Sequence, residues 1–324
     1  MHRYAPPRGL PALVDAVVER ARARVGIPVE RRNVLVTAGA TGALGAVFGA
    51  ILEAGDEVLI AAPYWPLITG IVRCFGGRPV VVPLIGETDS ADEAVERMRR
   101  NSTPRTVALY LSTPNNPTGR VLPPPWIESL VGWARREQLW VVSDEVYEDY
   151  VYRGSHAYAM AFAPERTFAA HSFSKAFGMA GNRCGYVLGP ADAMAEAAKI
   201  STHSFYSSPT ASQLAAVRAL DGRGDAWVRE MRDRYRTSGE AAARRLGVDA
   251  PEGSTFLFLD VSERLDERGL AGFLDDCAER GLFLAPGPSF GPYPHHVRVC
   301  FTAAPPDVVG RGVDVLAELL GREH

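Results

Sequence analysis

Through the first two-thirds of the chain, short apolar and β-branched runs alternate with longer stretches in which apolar positions recur every three to four residues. The first pattern is that of strands and the second that of amphipathic helices. Strands are predicted at residues 33–36, 57–60, 79–82, 106–111, 139–143, 167–170 and 185–188, and helices at 10–25, 42–52, 91–100 and 126–137, with proline and glycine clusters marking the turns. Several of these strands are apolar throughout, as central strands buried on both faces must be, so the alternation predicts βα units and a mostly parallel sheet flanked by helices. After Asp221-Gly222-Arg223-Gly224 comes a long charged helix in which Trp227, Met231 and Tyr235 recur at four-residue spacing and are expected to face one side. The remainder reads as strand 255–259, helix 270–280, a Pro/Gly-rich turn, strand 297–301 and helix 307–320, an α+β unit. The expected organisation is a large α/β domain over residues 1–224 and a smaller C-terminal α+β domain over 225–324.

A length of 324 residues fits two such domains, and 47% hydrophobic with 23% charged residues is ordinary globular composition. Thirty-five basic against 38 acidic side chains leave a net charge of −3, with no footprint for nucleic acid or an anionic membrane. The uncharged run 33–52 is long enough to span a bilayer, but Gly39, Gly42, Gly45 and Gly49 with Thr37 and Thr41 dilute it, and it is expected to form a buried strand, loop and helix. Cys74, Cys184, Cys277 and Cys300 are scattered, and no secretory signal follows the start, so a cytoplasmic setting is expected. His295-His296 would point to opposite faces of a strand and make a poor metal pair, and no metal is assigned.

The chemistry concentrates in two loops. Gly39, Ala40 and Thr41 lie between a predicted strand and helix, where small residues leave backbone N–H groups free to surround a phosphate, although a tight βα turn has the same composition. The segment lacks the Lys-Ser/Thr of a nucleoside-triphosphate loop and the GxGxxG of a dinucleotide fold. The second is Ser172-Phe-Ser-Lys-Ala-Phe-Gly-Met-Ala-Gly-Asn-Arg183, which crowds hydroxyls, one lysine and one arginine. Lys175 and Lys199 are the only lysines beside thirty-three arginines, so a lysine kept in this loop points to a need for an amine rather than a charge.

Together with Ser112-Thr-Pro-Asn-Asn-Pro-Thr-Gly119, Ser143-Asp-Glu-Val-Tyr147, Tyr4-Ala-Pro-Pro-Arg-Gly-Leu-Pro11, Pro63-Tyr-Trp65 and Arg298-Val-Cys-Phe301, these loops resemble the pyridoxal-phosphate-dependent aminotransferases of class I and II, the fold type I superfamily. The resemblance runs nearly from end to end. It implies that Lys175 holds pyridoxal 5′-phosphate as a Schiff base and then moves a proton from the substrate Cα. Asp144 is implied at the pyridine nitrogen, Asn116 and Tyr147 at the 3′ oxygen, and Trp65 on the ring face, with Tyr64 the alternative. Gly39, Ala40, Thr41, Ser172, Ser174 and Arg183 are implied at the phosphate, with Tyr4 completing it from a second subunit of a homodimer. Asn116 and Arg298 are implied at the substrate, Arg298 forking the α-carboxylate.

The resemblance carries two departures. Family members have several dozen residues before the motif that begins at Tyr4, so the family's N-terminal arm is expected to be absent. Where dicarboxylate-specific members place a cross-subunit arginine, this chain has His203, so amino-group transfer between a neutral or aromatic L-amino acid and a 2-oxo acid is the expected reaction. The alternatives are another reaction of the same cofactor on this scaffold, a lyase, cyclase or oxidase, and a non-catalytic aminotransferase-like protein.

Overall fold

The computed structural model describes residues 3–322. Seven strands form the larger sheet: β1 (Val34–Thr37), β2 (Glu57–Ala62), β3 (Arg78–Pro83), β4 (Thr106–Ser112), β5 (Trp140–Asp144), β6 (Thr167–Ser172) and β7 (Gly185–Leu188), in the order β1-β7-β6-β5-β4-β2-β3. Pairing is parallel from β3 through β6, as the alternation of strands and helices predicts. Strand β7 alone runs antiparallel to its neighbours β6 and β1. The connection that feeds it, residues 173–184, contains only a short 3-10 turn in place of a crossover helix, so the chain returns beside β6 in the opposite sense.

Helices α1 (Pro11–Val25), α2 (Gly39–Ile51), α3 (Leu67–Cys74), α4 (Ala91–Arg100), α5 (Pro124–Arg136), α6 (Ala191–Ser204) and α7 (Thr210–Leu220) cover the sheet, and α8 (Arg223–Arg245) leads out of it. Neighbouring strand residues serve opposite faces. Ile60 and Val142 pack with Phe48 of α2 and Ile68 of α3, whereas Leu59 and Val141 pack with Met98 of α4 and Leu130 of α5. Local signals set the helix ends. Pro11 starts α1 and Gly26, at φ 75°, stops it, while Ser90 Oγ accepts the Glu93 N–H at the start of α4, whose first turn is acidic and last turn basic. The uncharged run resolves into β1 and α2, and among the described residues no helix is long and apolar enough to cross a membrane.

Strands β8 (Phe256–Asp260), β9 (Ala285–Pro286) and β10 (His296–Cys300) form a second, antiparallel sheet in the order β8-β10-β9. Helices α9 (Gly269–Glu279) and α10 (Pro306–Leu319) pack on it around Leu257, Phe273, Val297 and Leu316, with Ala242 and Leu246 at the end of α8 closing the core. On α8, Met231 and Tyr235 pack near Tyr150 and Phe256, but Trp227, one turn earlier, remains 47% exposed.

Gly185 stands where β7, β6 and the start of α2 converge. A Cβ there would fall 2.6 Å from the His171 oxygen, 2.8 Å from the Gly39 carbonyl carbon and 3.0 Å from the Ala40 nitrogen, all of them backbone atoms. Gly185→Ala is therefore expected to cost about 1–3 kcal/mol through overpacking, read as a lower urea midpoint at unchanged slope.

Candidate active site

At the carboxyl edge of the parallel strands, backbone pairing continues beyond the apolar runs. Leu111 pairs with Ser143, Ser112 with Asp144 and Ser172 with Gly185, so polar residues end β4, β5 and β6 side by side. They open on a cavity of about 160 Å³. Ala40, Thr41, Trp65, Asn116, Asp144, Tyr147, Ser172, Ser174, Lys175 and Arg183 all line it, joined by Leu44, Ser112, Val146 and Ala180, which the sequence reading had not singled out. Gly39 lies just behind Arg183.

One end of the cavity is built from the start of α2. This helix begins at Gly39, three residues earlier than expected, so Gly39, Ala40 and Thr41 form its first turn and its unpaired N–H groups are close to the cavity. Gly39 has φ +71°, and a Cβ on it would sit 2.7 Å from Arg183 Nη2. Arg183 itself is held in the left-handed region at φ 50°, ψ 54°, an unusual conformation for an arginine. Its guanidinium donates to the Ala180 carbonyl at 3.0 Å and the Ala38 carbonyl at 3.4 Å. The Ser174 N–H donates to Ser172 Oγ at 3.1 Å.

At the other end Asp144, buried at the tip of β5, accepts the Tyr110 hydroxyl at 2.9 Å and the Val146 N–H at 3.4 Å. Burial pushes its carboxyl up to about 6, against the pull of those hydrogen bonds and of Lys175 and His171. Tyr110 was missed in the sequence. It lies two residues before Ser112, the register partner of Asp144, and so faces the same side; a tyrosine in the middle of a central strand is the signal, because its hydroxyl needs a buried partner. Trp65 lines the cavity half-buried, whereas Tyr64 is buried in the core, so the tryptophan is the ring presented to the site.

Between the two ends, Lys175 Nζ stands 5.4 Å from the Tyr147 ring centroid, and the Tyr150 hydroxyl fixes the loop by donating to the Lys175 carbonyl at 3.0 Å. Burial lowers the Lys175 amine below the usual lysine range, with Asp144 opposing and Arg298 and Arg183 reinforcing the shift. Tyr147 is buried edge-on against Phe256, and desolvation, aided by Asp144, pushes its hydroxyl up, keeping it a neutral donor. Arg298 arrives from β10. Its guanidinium lies over Phe256 at 4.3 Å and Phe290 at 4.8 Å, and Nη1 donates to Asn116 Oδ1 at 2.8 Å. Its Nε is buried without a partner.

Arg298 is not on the cavity wall and reaches it through Asn116, and two further expected site residues lie on the surface of their own chain. Tyr4 is 85% exposed with its ring edge on Tyr206, and His203 lies on the exposed side of α6 with Nδ1 2.8 Å from the Lys199 carbonyl. Lys199 is also on that surface, 2.7 Å from Glu196. Among the described residues no group of three or more His, Cys, Asp or Glu side chains is arranged to hold a metal.

A mostly parallel seven-stranded sheet flanked by helices, with a small antiparallel sheet after it, is the architecture of the fold type I pyridoxal-phosphate-dependent transferases. The chain belongs to the class I and II aminotransferases, whose family model matches residues 1–316. It is 37% identical over 310 residues to a probable aspartate/prephenate aminotransferase of Thermus aquaticus, covering 92% of this chain and 79% of that protein. It is 35% identical to the aspartate/prephenate aminotransferase of Thermus thermophilus, covering 99% and 84%. The solved structure of Thermus thermophilus aspartate aminotransferase with maleate superposes with a TM-score of 0.91 at 33% identity, over 98% of this chain and 84% of that one.

The protein is therefore a pyridoxal-phosphate-dependent aminotransferase. The residues present fit that cofactor. A helix start, two serines and an arginine would hold a phosphate at one end, a buried carboxyl raised by burial would meet a ring nitrogen at the other, and an aromatic ring and an amine lie between.

Proposed function

We propose that the enzyme transfers an amino group from a neutral or aromatic L-amino acid to a 2-oxo acid, using Lys175 as covalent anchor and proton carrier. When bound, pyridoxal 5′-phosphate supplies a carbonyl carbon for the amino group and an electron-withdrawing ring. Ala40, Thr41, Ser172, Ser174 and Arg183, with Gly39 leaving room for the guanidinium, hold the phosphate. Asp144 holds a proton on the ring nitrogen, while Asn116 and Tyr147 donate to the ring oxygen and Trp65 covers the ring. Lys175, its amine already lowered by burial, takes the proton from the substrate Cα. Arg298, positioned by Asn116, binds the α-carboxylate through the fork that includes its unpartnered Nε.

The proposed division at residue 224 leaves the cofactor to the first domain and the carboxylate grip to the second. Tyr4 and His203, both exposed, are assigned to the cavity of a second subunit in a homodimer.

The reading is carried by Lys175 and Asp144 lining one cavity that Arg298 reaches through Asn116, and whose lining, among the described residues, has Lys175 and Arg183 as its lysine and arginine side chains. Both have assigned roles, which leaves no permanent cation for a second substrate carboxylate. The relatives' names, aspartate/prephenate aminotransferase, favour the competing reading, a dicarboxylate donor. Measured at pH 8, kcat/KM is expected to favour phenylalanine, methionine and alanine over aspartate. A strong aspartate preference establishes the competing reading instead. Arg298→Ala should penalise all four donors alike, by about 1.5–3 kcal/mol for a charged hydrogen bond.

A further inference from the structure

Asp144 and Ser172 close the cofactor face of the sheet, and the neighbouring Glu145 and His171 project to the opposite face, because successive strand residues alternate. Glu145 keeps that register through its N–H, which donates to the Ala170 carbonyl at 3.0 Å, Ala170 being the register partner of Asp144. On this back face His171 is 3% exposed. Its Nδ1 lies 3.2 Å from Glu148 Oε1 and its Nε2 3.9 Å from Glu145 Oε2, while the ring stacks on Tyr186 with centroids 4.8 Å apart. Neither ring nitrogen completes a well-formed hydrogen bond, so the imidazole is held by charge and stacking.

The surroundings of His171 are densely charged. Glu148 and Asp149 meet Arg20 and Arg24 of α1, Asp149 at 2.7 and 2.6 Å, and the Tyr158 hydroxyl donates to Glu148 at 2.8 Å. Glu145, fully buried, accepts the Ser143 hydroxyl at 2.8 Å and the Ala159 N–H at 3.2 Å, and its second oxygen lies 3.4 Å from His156 Nε2. Arg229, Arg232 and Asp225 of α8 line the same cleft as Arg20, Arg24, Glu148 and Asp149, so what favours a proton on His171 is its own place between Glu145 and Glu148. Burial alone would remove that proton. Glu148 and Glu145 outweigh burial and the repulsion of Arg20, raising His171, while His171, Arg20 and Arg24 hold Glu148 well below the usual carboxylate range.

We propose that His171 is a positioning residue for Asp144: as an imidazolium lodged on the far face of the sheet, it holds Asp144 as a carboxylate ready for the cofactor's ring nitrogen. Asp144 and His171 stand on paired strands one residue out of register. Strand spacing then allows a charge separation of roughly 8–10 Å, at which a unit charge at an effective dielectric of about 20 moves a titration midpoint by about one pH unit. The inference rests on Asp144 being the ring partner. His171 thereby sets the lower edge of the pH range in which the cofactor is held, with no contact to it.

The test measures the dissociation constant of pyridoxal phosphate for the full-length apoprotein from pH 5.5 to 8.5 in the native protein, His171→Gln, Asp144→Asn and the double variant. His171→Gln is expected to raise the acid midpoint by about one pH unit and to weaken binding about three- to tenfold near pH 6.5, with the curves meeting above pH 8. In the Asp144→Asn background the same substitution should change nothing. A loss independent of pH, or equal in both backgrounds, overturns the proposal in favour of a packing role. If Asp144→Asn itself leaves binding and its pH profile unchanged, the failure belongs to the assignment of Asp144. Nitrogen-15 resonances of His171 in the native protein do not depend on whether the variants fold: both ring nitrogens are expected at imidazolium positions at pH 6.5, where the binding difference is read, and a neutral ring there overturns the proposal.

Discussion

Lys175→Ala is expected to abolish covalent retention of the cofactor and to lower transamination by at least about 10⁴-fold, the upper end of what a positioned acid–base group contributes. Native protein reduced with borohydride and then denatured should keep the added cofactor mass, whereas the variant should lose it while still binding the cofactor through its phosphate. The contrast is sharp because, among the described residues, no other lysine lines the cavity. Lys199, the one remaining lysine, sits on the outer surface of α6 paired with Glu196. Cofactor mass retained on another residue of the variant, or turnover within tenfold of native, refutes the assignment.

Asp144→Asn should separate chemistry from folding by moving them in opposite directions. Turnover should fall by orders of magnitude, since the amide cannot hold a proton on the ring nitrogen as charge develops at Cα. The cofactor-free protein should become more stable. A carboxyl raised to about 6 by burial stabilises the fold when protonated, below the free value of 3.8, and loses that contribution as pH rises through 6. The variant should therefore match the native apoprotein at pH 4 and exceed it at pH 8 by up to about 3 kcal/mol, less whatever the amide gives up in accepting from both Tyr110 and Val146. Equal stability at both pH values, or an unchanged single-turnover rate of Cα proton removal, contradicts this account.

The parallel sheet was legible because its central strands are apolar on both faces, as Val58 to Ala62 shows. What escaped lay at their ends. Ser112, Asp144 and Ser172 are polar, so the apolar runs stopped at 111, 143 and 170 although the backbone ladder goes on to place those residues at the cavity. The antiparallel sense of β7 has no local signal, since an all-buried four-residue strand reads the same in either direction. Helix α6 was not foreseen because its run of small alanines blurs the 3.6-residue period, and α3 spans only eight residues between Pro66 and Gly76. The ordered motifs hold most of the residues that line the cavity, though not Leu44. Its supporting residues, Tyr110, Glu145 and His171, were not singled out, because each owes its place to a neighbouring strand rather than to its own segment.

The contrasting surroundings of the two lysines give the molecule a chemical readout of its own. Lys199 stands in bulk solvent on α6, while Lys175 is approached through the cavity. An acylating reagent modifies both when the cavity is free and only the surface one when it is filled. The thirty-three arginines stay silent to it. The ratio of the two tagged peptides then measures fractional occupancy within each molecule, with the outer lysine as internal standard and no dependence on protein concentration or on a chromophore.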